Sequence, residues 1–357
     1  MAENITEKGR RQLNYELLRI IAMIMIVCLH YLSKGGILGN PAQSNMTSVG
    51  YTAWLIEAFC LVSVNVYVLI TGYFSLGDSS IKRPFKVWKQ VLFYSIAIGI
   101  IAMLAGIQSF DIYSIFGYVF PIVTEHYWFA TVYIFLGLLM PFLNAGISRL
   151  NKKQMRYIIG IMLMLFSVSK TVIPMHLPWD KSGYDVLWFV ALYLTGAYIR
   201  KYGADFIGKK GVAIVTYVIS TCVIYLSFVV IRLIYIKTGK LEDFIDYGYS
   251  YNYLFCYTGA VGLFVVFSKI KSEVLEKFRK PIELFASASF GVYLIHEHIN
   301  IRYLWPTWFN TESVLNKSVP VFILSMLGTV AVVYLSCSAI EILRSKVSTY
   351  IKQIVKR

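Results

Sequence analysis

An all-α protein that crosses a membrane many times is predicted by three observations. The mean hydropathy is +0.63. Only 15% of the residues are charged, against about 25% in an ordinary soluble domain. The Lys and Arg residues fall between long apolar runs, so the formal charge of +15 reads as a topology signal and nucleic acid is not an expected partner. Unsatisfied backbone groups in hydrocarbon cost several kcal/mol each, which leaves helices as the form such runs take.

About 20 residues cross about 30 Å of hydrocarbon. On that length the chain is expected to hold about ten spans in one transmembrane domain covering 1–357, with a core of about 14–343 and no separate soluble domain. The first, 14–33, follows Lys8, Arg10 and Arg11 and has no small-residue cleavage pattern after it, so it is expected to stay as a helix. The second, 51–74, is followed by the basic cluster Lys82, Arg83, Lys86 and Lys89, which opens the third at 87–107. The apolar stretch 110–123 is too short to cross and ends around Pro121, so it is expected to be an interfacial or buried half-helix.

Spans at 127–147 and 156–175 enclose a basic inner loop, and spans at 184–200 and 212–234 enclose another. The longest outer loop, 235–251, mixes Glu242, Asp243 and Asp246 with Tyr235, Phe244, Tyr247, Tyr249 and Tyr251. That composition suits either an aromatic belt at the interface or stacking on sugar rings. Spans at 252–268, 284–304 and 319–343 complete the set. With both termini inside, the basic clusters at 8–11, 82–89, 149–156, 200–210, 269–280 and 344–357 all face the cytoplasm, against scattered single residues such as Lys170 and Arg232 outside. A multi-pass protein of the cell membrane is therefore expected.

Cys28, Cys60, Cys222, Cys256 and Cys337 lie in or beside apolar runs without a CxxC pair, so neither a disulfide framework nor a zinc site is expected. Ionisable residues inside spans are costly and point to function. The first helix carries Glu16, Arg19 and His30. Arg19 and His30 are eleven residues apart, about 20° beyond three full turns, so they share a face with about 16 Å of rise between them. Glu16 and Arg19 are spaced to pair on the helix surface, and a self-satisfied pair at the membrane edge is the plain alternative for those two. A neutral imidazole such as His30 is suited to taking a proton from a hydroxyl.

The ninth helix carries Tyr293, His296, Glu297 and His298, with His296 near the depth of His30. Adjacent residues do not share a helix face and no H-E-x-x-H is present, so no metal site is expected. Glu125 and His126 precede Tyr127 and Trp128 at the outer interface. The Lys82–Lys89 cluster suits phosphate groups as well as topology. No GxGxxG or Walker A motif suggests nucleotide hydrolysis.

The stretch from Asn14 through Arg19 to His30 resembles the opening helix of the acyltransferase 3 family of membrane acyltransferases. Ile70-Thr71-Gly72-Tyr73-Phe74 resembles that family's ser-gly-phe segment, with Thr71 and Tyr73 where Ser and Phe are commoner. Trp128-Phe129 and Tyr293-Leu294-Ile295-His296 resemble its later signatures, and the likeness runs from about Asn14 to the tenth helix. The resemblance implies transfer of an acyl group, usually acetyl, from cytoplasmic acyl-CoA, a co-substrate and not a bound cofactor, to a hydroxyl of an envelope or exported polysaccharide, as in O-antigen and capsule acetylases.

By that resemblance His30 is expected to be the essential histidine, Arg19 its paired basic residue, and Arg83 with Lys86 the basic region of the third helix; Glu16 is a further expected catalytic residue, and Lys82, Lys89 and Trp128 are expected to bind acyl-CoA with Arg83 and Lys86. Glu125, His126, His296 and Glu297 are unranked candidates to orient His30 or to donate to the developing oxyanion. Expected partners are acyl-CoA, a glycan or lipid-linked sugar acceptor and membrane lipid; the oligomeric state, a homodimer included, stays open. A transporter or flippase of a lipid-linked sugar would also use a polar stripe, but more naturally with broken helices or inverted repeats.

Overall fold

The computed structural model describes residues 11–173, 175 and 177–355; Lys8, Arg10, Lys356 and Arg357 of the terminal basic clusters lie outside these. The described residues form fourteen α-helices joined by turns, 3-10 segments and, at Met164–Val168, a π-helical stretch: α1 (Leu13–Lys34), α2 (Ser48–Cys60), α3 (Ser63–Phe74), α4 (Lys82–Leu104), α5 (Ile112–Val119), α6 (Trp128–Arg149), α7 (Lys152–Leu163), α8 (Ser169–Val172), α9 (Val186–Tyr202), α10 (Lys210–Thr238), α11 (Leu254–Ser268), α12 (Arg279–His296), α13 (Leu304–Trp308) and α14 (Val319–Val355).

Among the described residues, seven units are long and apolar enough to cross a membrane: α1, α2 with α3, α4, α6, α7 through α8, α10, and α14. An eighth arises if α11 and the Ser272–His296 segment, bent by 77° at a short break, count together. The protein is thus an all-α, multi-pass membrane protein. Seven of the ten expected spans fall on these units. The expected span at 184–200 falls on α9, which has 17 residues and at 1.5 Å per residue is about 26 Å long. The expected 284–304 helix stops at His296, short of its anticipated end.

The central position of α1 follows from its sequence. Glu16 in its first turn and Lys34 in its last complement the helix dipole. Its side chains pack against α12 most extensively, and also against α2, α3, α11 and α14, so the polar stripe faces protein and not lipid. Asn14 Nδ2 donates to Phe267 O at 3.0 Å at one end, and Lys34 Nζ reaches Tyr303 Oη at 3.4 Å at the other. The two helices α1 and α12 therefore run side by side in the same direction.

The α3–α9 contact depends on two glycines. A Cβ on Gly72 would clash with Tyr193 O, and one on Gly196 would clash with Leu69 O. Small residues at such crossings let backbones approach where lipid offers no hydrophobic drive. Below them Asn144 of α6 donates to Ser75 O at 2.7 Å and Asp78 O at 2.8 Å, fixing the turn that leads into α4.

The half-helix expected in 110–123 is α5, eight residues long and capped by Asp111, whose side chain accepts from Ser114 N at 2.9 Å. The 235–251 loop is less exposed than its composition suggested: Tyr249 Oη donates to Trp54 O at 2.8 Å, and Tyr251 is buried and stacked on Trp128. Lys170 and Arg232, single basic residues outside the clusters, are each buried and hydrogen-bonded internally.

Candidate active site

The last turn of α12 meets α1 at His30. His30 Nδ1 lies 2.8 Å from His296 Nε2 and 3.2 Å from Glu297 Oε2. His296 Nδ1 lies 2.6 Å from the carbonyl of Val292, one turn back on α12. A carbonyl only accepts, so His296 carries its proton on Nδ1 and offers a lone pair at Nε2; His30 must then donate from Nδ1 to fill it. The relay leaves His30 Nε2 without a proton in the neutral ring. An imidazole held in that tautomer is a base at one defined atom.

Glu297 reaches His30 because α12 ends at His296. Glu297 has φ −97° and ψ 4°, outside the helix, so the rule that neighbours on a helix point apart no longer governs it. Its other oxygen lies 3.6 Å from Arg302 Nη1. His298 turns away: its Nε2 lies 3.2 Å from Ser95 O, and its ring packs near Tyr118, His126 and Tyr127.

His30 lines a small cavity of about 30 Å³ with Met23, Ile26, Leu29, Val64, Tyr67, Trp128, Phe129, Tyr251, Phe290 and Tyr293. A second cavity, of about 330 Å³, is lined by Arg19, Arg83 and Lys86 together with Ser75, Gln90, Ser287 and Ser289, among others. Tyr67, Phe129 and Phe290 belong to both linings and form the wall between them. The two ends of the α1 stripe thus open onto adjoining spaces, a cationic one at Arg19 and a mainly apolar one at His30.

Each remaining candidate has a definite place. Arg19 Nη1 donates to Glu16 Oε1 at 2.8 Å, and Arg11 approaches Glu16 at 3.6 Å, so Glu16 belongs to the cationic end and is partnered there. Arg83 pairs with Asp78 at 2.9 Å and donates to Ser75 Oγ at 2.9 Å. Lys82 and Lys89 are exposed and outside the cavity lining. Trp128 stands with His30 and not with the cations. Glu125 is exposed at positive φ. His126 is buried beside Tyr118 and His298, and no contact joins it or Glu125 to His30 among the described residues.

Several residues at the site were not singled out from sequence. Tyr67 donates to Arg19 O at 2.7 Å and stands in the dividing wall. Asn65, fully buried, donates to Tyr251 O at 2.7 Å and accepts from Trp188 Nε1 at 3.1 Å, which fixes Tyr251 in the His30 cavity. Met23 and Ile26 lie four and seven residues beyond Arg19, a spacing that already placed them on its face.

Residues 12–337 match a family model described as an acyltransferase domain, of the acyltransferase 3 type. In the comparisons with curated proteins and with solved structures, nothing matches.

Proposed function

Because the chain belongs to the acyltransferase 3 family, which makes it an acyltransferase-type membrane enzyme, we propose that it carries an acyl group, acetyl in the first place, from acyl-CoA to a hydroxyl of an envelope or exported polysaccharide. The observation that carries the proposal is the relay from Val292 O through His296 to His30, next to a cationic cavity one aromatic wall away.

The CoA phosphates sit among Arg19, Arg83 and Lys86 on the cytoplasmic side, where guanidinium and ammonium donors suit them. The pantetheine arm passes between Tyr67, Phe129 and Phe290 and brings the thioester to His30. An acceptor hydroxyl arriving from the outer side gives its proton to His30 Nε2 while its oxygen attacks the thioester carbon. The C–S bond breaks, and the departing thiolate takes the proton from His30 and leaves as CoA thiol. While His30 is an imidazolium, the Glu297 carboxylate beside Nδ1 offsets its charge. The aromatic walls hold thioester and hydroxyl in line.

The test is incubation of the purified protein with radiolabelled acetyl-CoA and envelope fractions. An alkali-labile labelled ester on a glycan, with release of CoA, is the expected result. Movement of a lipid-linked sugar without CoA release would replace acyl transfer by transport.

A further inference from the structure

The acyl group of the donor has to occupy the space beside His30, and the size and lining of that space restrict what it can be. Arg19, Met23, Ile26 and His30 lie at intervals of four, three and four residues, which is one face of α1. Arg19 opens onto the large cavity; the other three line the small one. Met23 and Ile26 are both buried, and Val64 lines the same chamber.

A volume of about 30 Å³ is about twice what one water requires. Room for about two water-sized groups puts even an acetyl group at the limit of the chamber, and the two further methylenes of a butyryl group would have to displace its walls. The lining also holds no Lys or Arg among the described residues. A carboxylate at the end of a succinyl chain would be buried there without a cation, at a large desolvation cost.

We propose that this chamber limits the donor to a short, uncharged acyl group, and that Met23 and Ile26 set the length limit. The inference rests on the acyl-transfer function proposed above and adds to it the residues that choose the acyl chain. Met23 is the more adjustable wall, an unbranched thioether that fills irregular space. Its removal lengthens the chamber along α1 without touching His30 or the cationic cavity.

The experiment compares turnover of acetyl-, butyryl- and succinyl-CoA by the full-length protein with envelope fractions as acceptor, for the native chain, Met23→Ala and Ile26→Ala. The readout is the ratio of kcat/KM for butyryl-CoA to that for acetyl-CoA within each preparation, which does not depend on how much of it is folded. The native ratio is expected to be about one tenth or lower. It should rise by about tenfold in Met23→Ala, and succinyl-CoA should stay excluded in all three because widening adds no cation.

A native enzyme that turns over butyryl-CoA as well as acetyl-CoA, or a ratio unmoved in both variants, would overturn the chamber while leaving acyl transfer intact. Succinyl transfer by the native chain would overturn the requirement for an uncharged group. Failure to turn over any thioester would instead remove the acyl-transfer function, and the chamber with it.

Discussion

His30 Nδ1 and His296 Nε2 stand 2.8 Å apart, joining two residues 266 positions apart in sequence at one level of two parallel helices. Because Val292 O holds the far side of the His296 ring, the contact has a direction: His296 accepts and His30 donates. Burying two imidazoles costs desolvation free energy, which a fully used set of donors and acceptors offsets. The outcome for chemistry is that the free lone pair of His30 lies on Nε2.

In the acyl-transfer function proposed above, His296 acts as a positioning residue. Replacing it with Ala is expected to lower kcat by about tenfold or more, a part of the 10²–10⁴ that a general base typically supplies, with KM for acyl-CoA nearly unchanged. His296→Gln offers an amide oxygen that can still accept from His30 Nδ1 and should recover part of kcat. If the Ala and Gln variants had equal kcat, the relay would not be what His296 contributes.

In the proposed function Arg83 belongs to the donor-binding side. It is held by Asp78 and Ser75 at the mouth of the cationic cavity, and a charge-assisted hydrogen bond to phosphate is worth about 1.5–3 kcal/mol before solvent screening. With more than half of its side chain exposed, Arg83→Ala should raise KM for acetyl-CoA by about tenfold and leave the thermal midpoint nearly in place. Equal acetyl-CoA affinity in the variant and the native protein would take Arg83 out of the donor site.

Much of this was legible in the sequence because lipid imposes strong rules. Long apolar runs became helices, α5 formed where 110–123 was too short to cross, and the eleven-residue interval from Arg19 to His30 placed both on an inward face. Other features depend on where a helix stops. Glu297 meets His30 only because α12 ends at His296, and no periodic pattern marks that end. Asn65 and Tyr251 are joined across 186 residues, a pairing that exists only once α3 has packed. Lys170, near the outer end of the expected 156–175 span, counted as an outer charge because no periodic pattern announces Asp180 as its buried partner.

That pair carries a stability prediction. Lys170 Nζ lies 2.8 Å from Asp180 Oδ2, with side chains 2% and 6% exposed, and Asn252 Nδ2 donates to Asp180 Oδ1 at 2.8 Å. Lys170→Met leaves a buried carboxylate without its cation and should destabilise by about 3–5 kcal/mol, read as a lowered thermal midpoint in detergent. The double variant Lys170→Met with Asp180→Asn should regain most of the loss; a double variant no better than the single would contradict the pairing.

Asp205, in the 3-10 segment between α9 and α10, gives a pH prediction. Burial acts to raise its pKa, but hydrogen bonds from Tyr198, Lys152 and Arg156 outweigh it and bring the carboxyl from 3.8 to about 2. A depressed folded-state pKa means the contribution is fully present above the unfolded value near 3.8 and is lost as pH falls through about 2. Midpoint measured against pH should therefore drop across that window in the native chain, and Asp205→Asn should flatten that component. A variant with an unchanged acid limb would show that the Asp205 cluster contributes nothing to it.

The central claim is that His30 removes the acceptor proton. The most direct measurement is the rate of labelled acetyl transfer to envelope glycan by purified His30→Ala, alongside its elution profile and thermal midpoint. A fall of 10²-fold or more, about what removing a general base costs, in a protein that elutes and melts like the native one, is the predicted result. Transfer at the native rate by a correctly folded His30→Ala would contradict it.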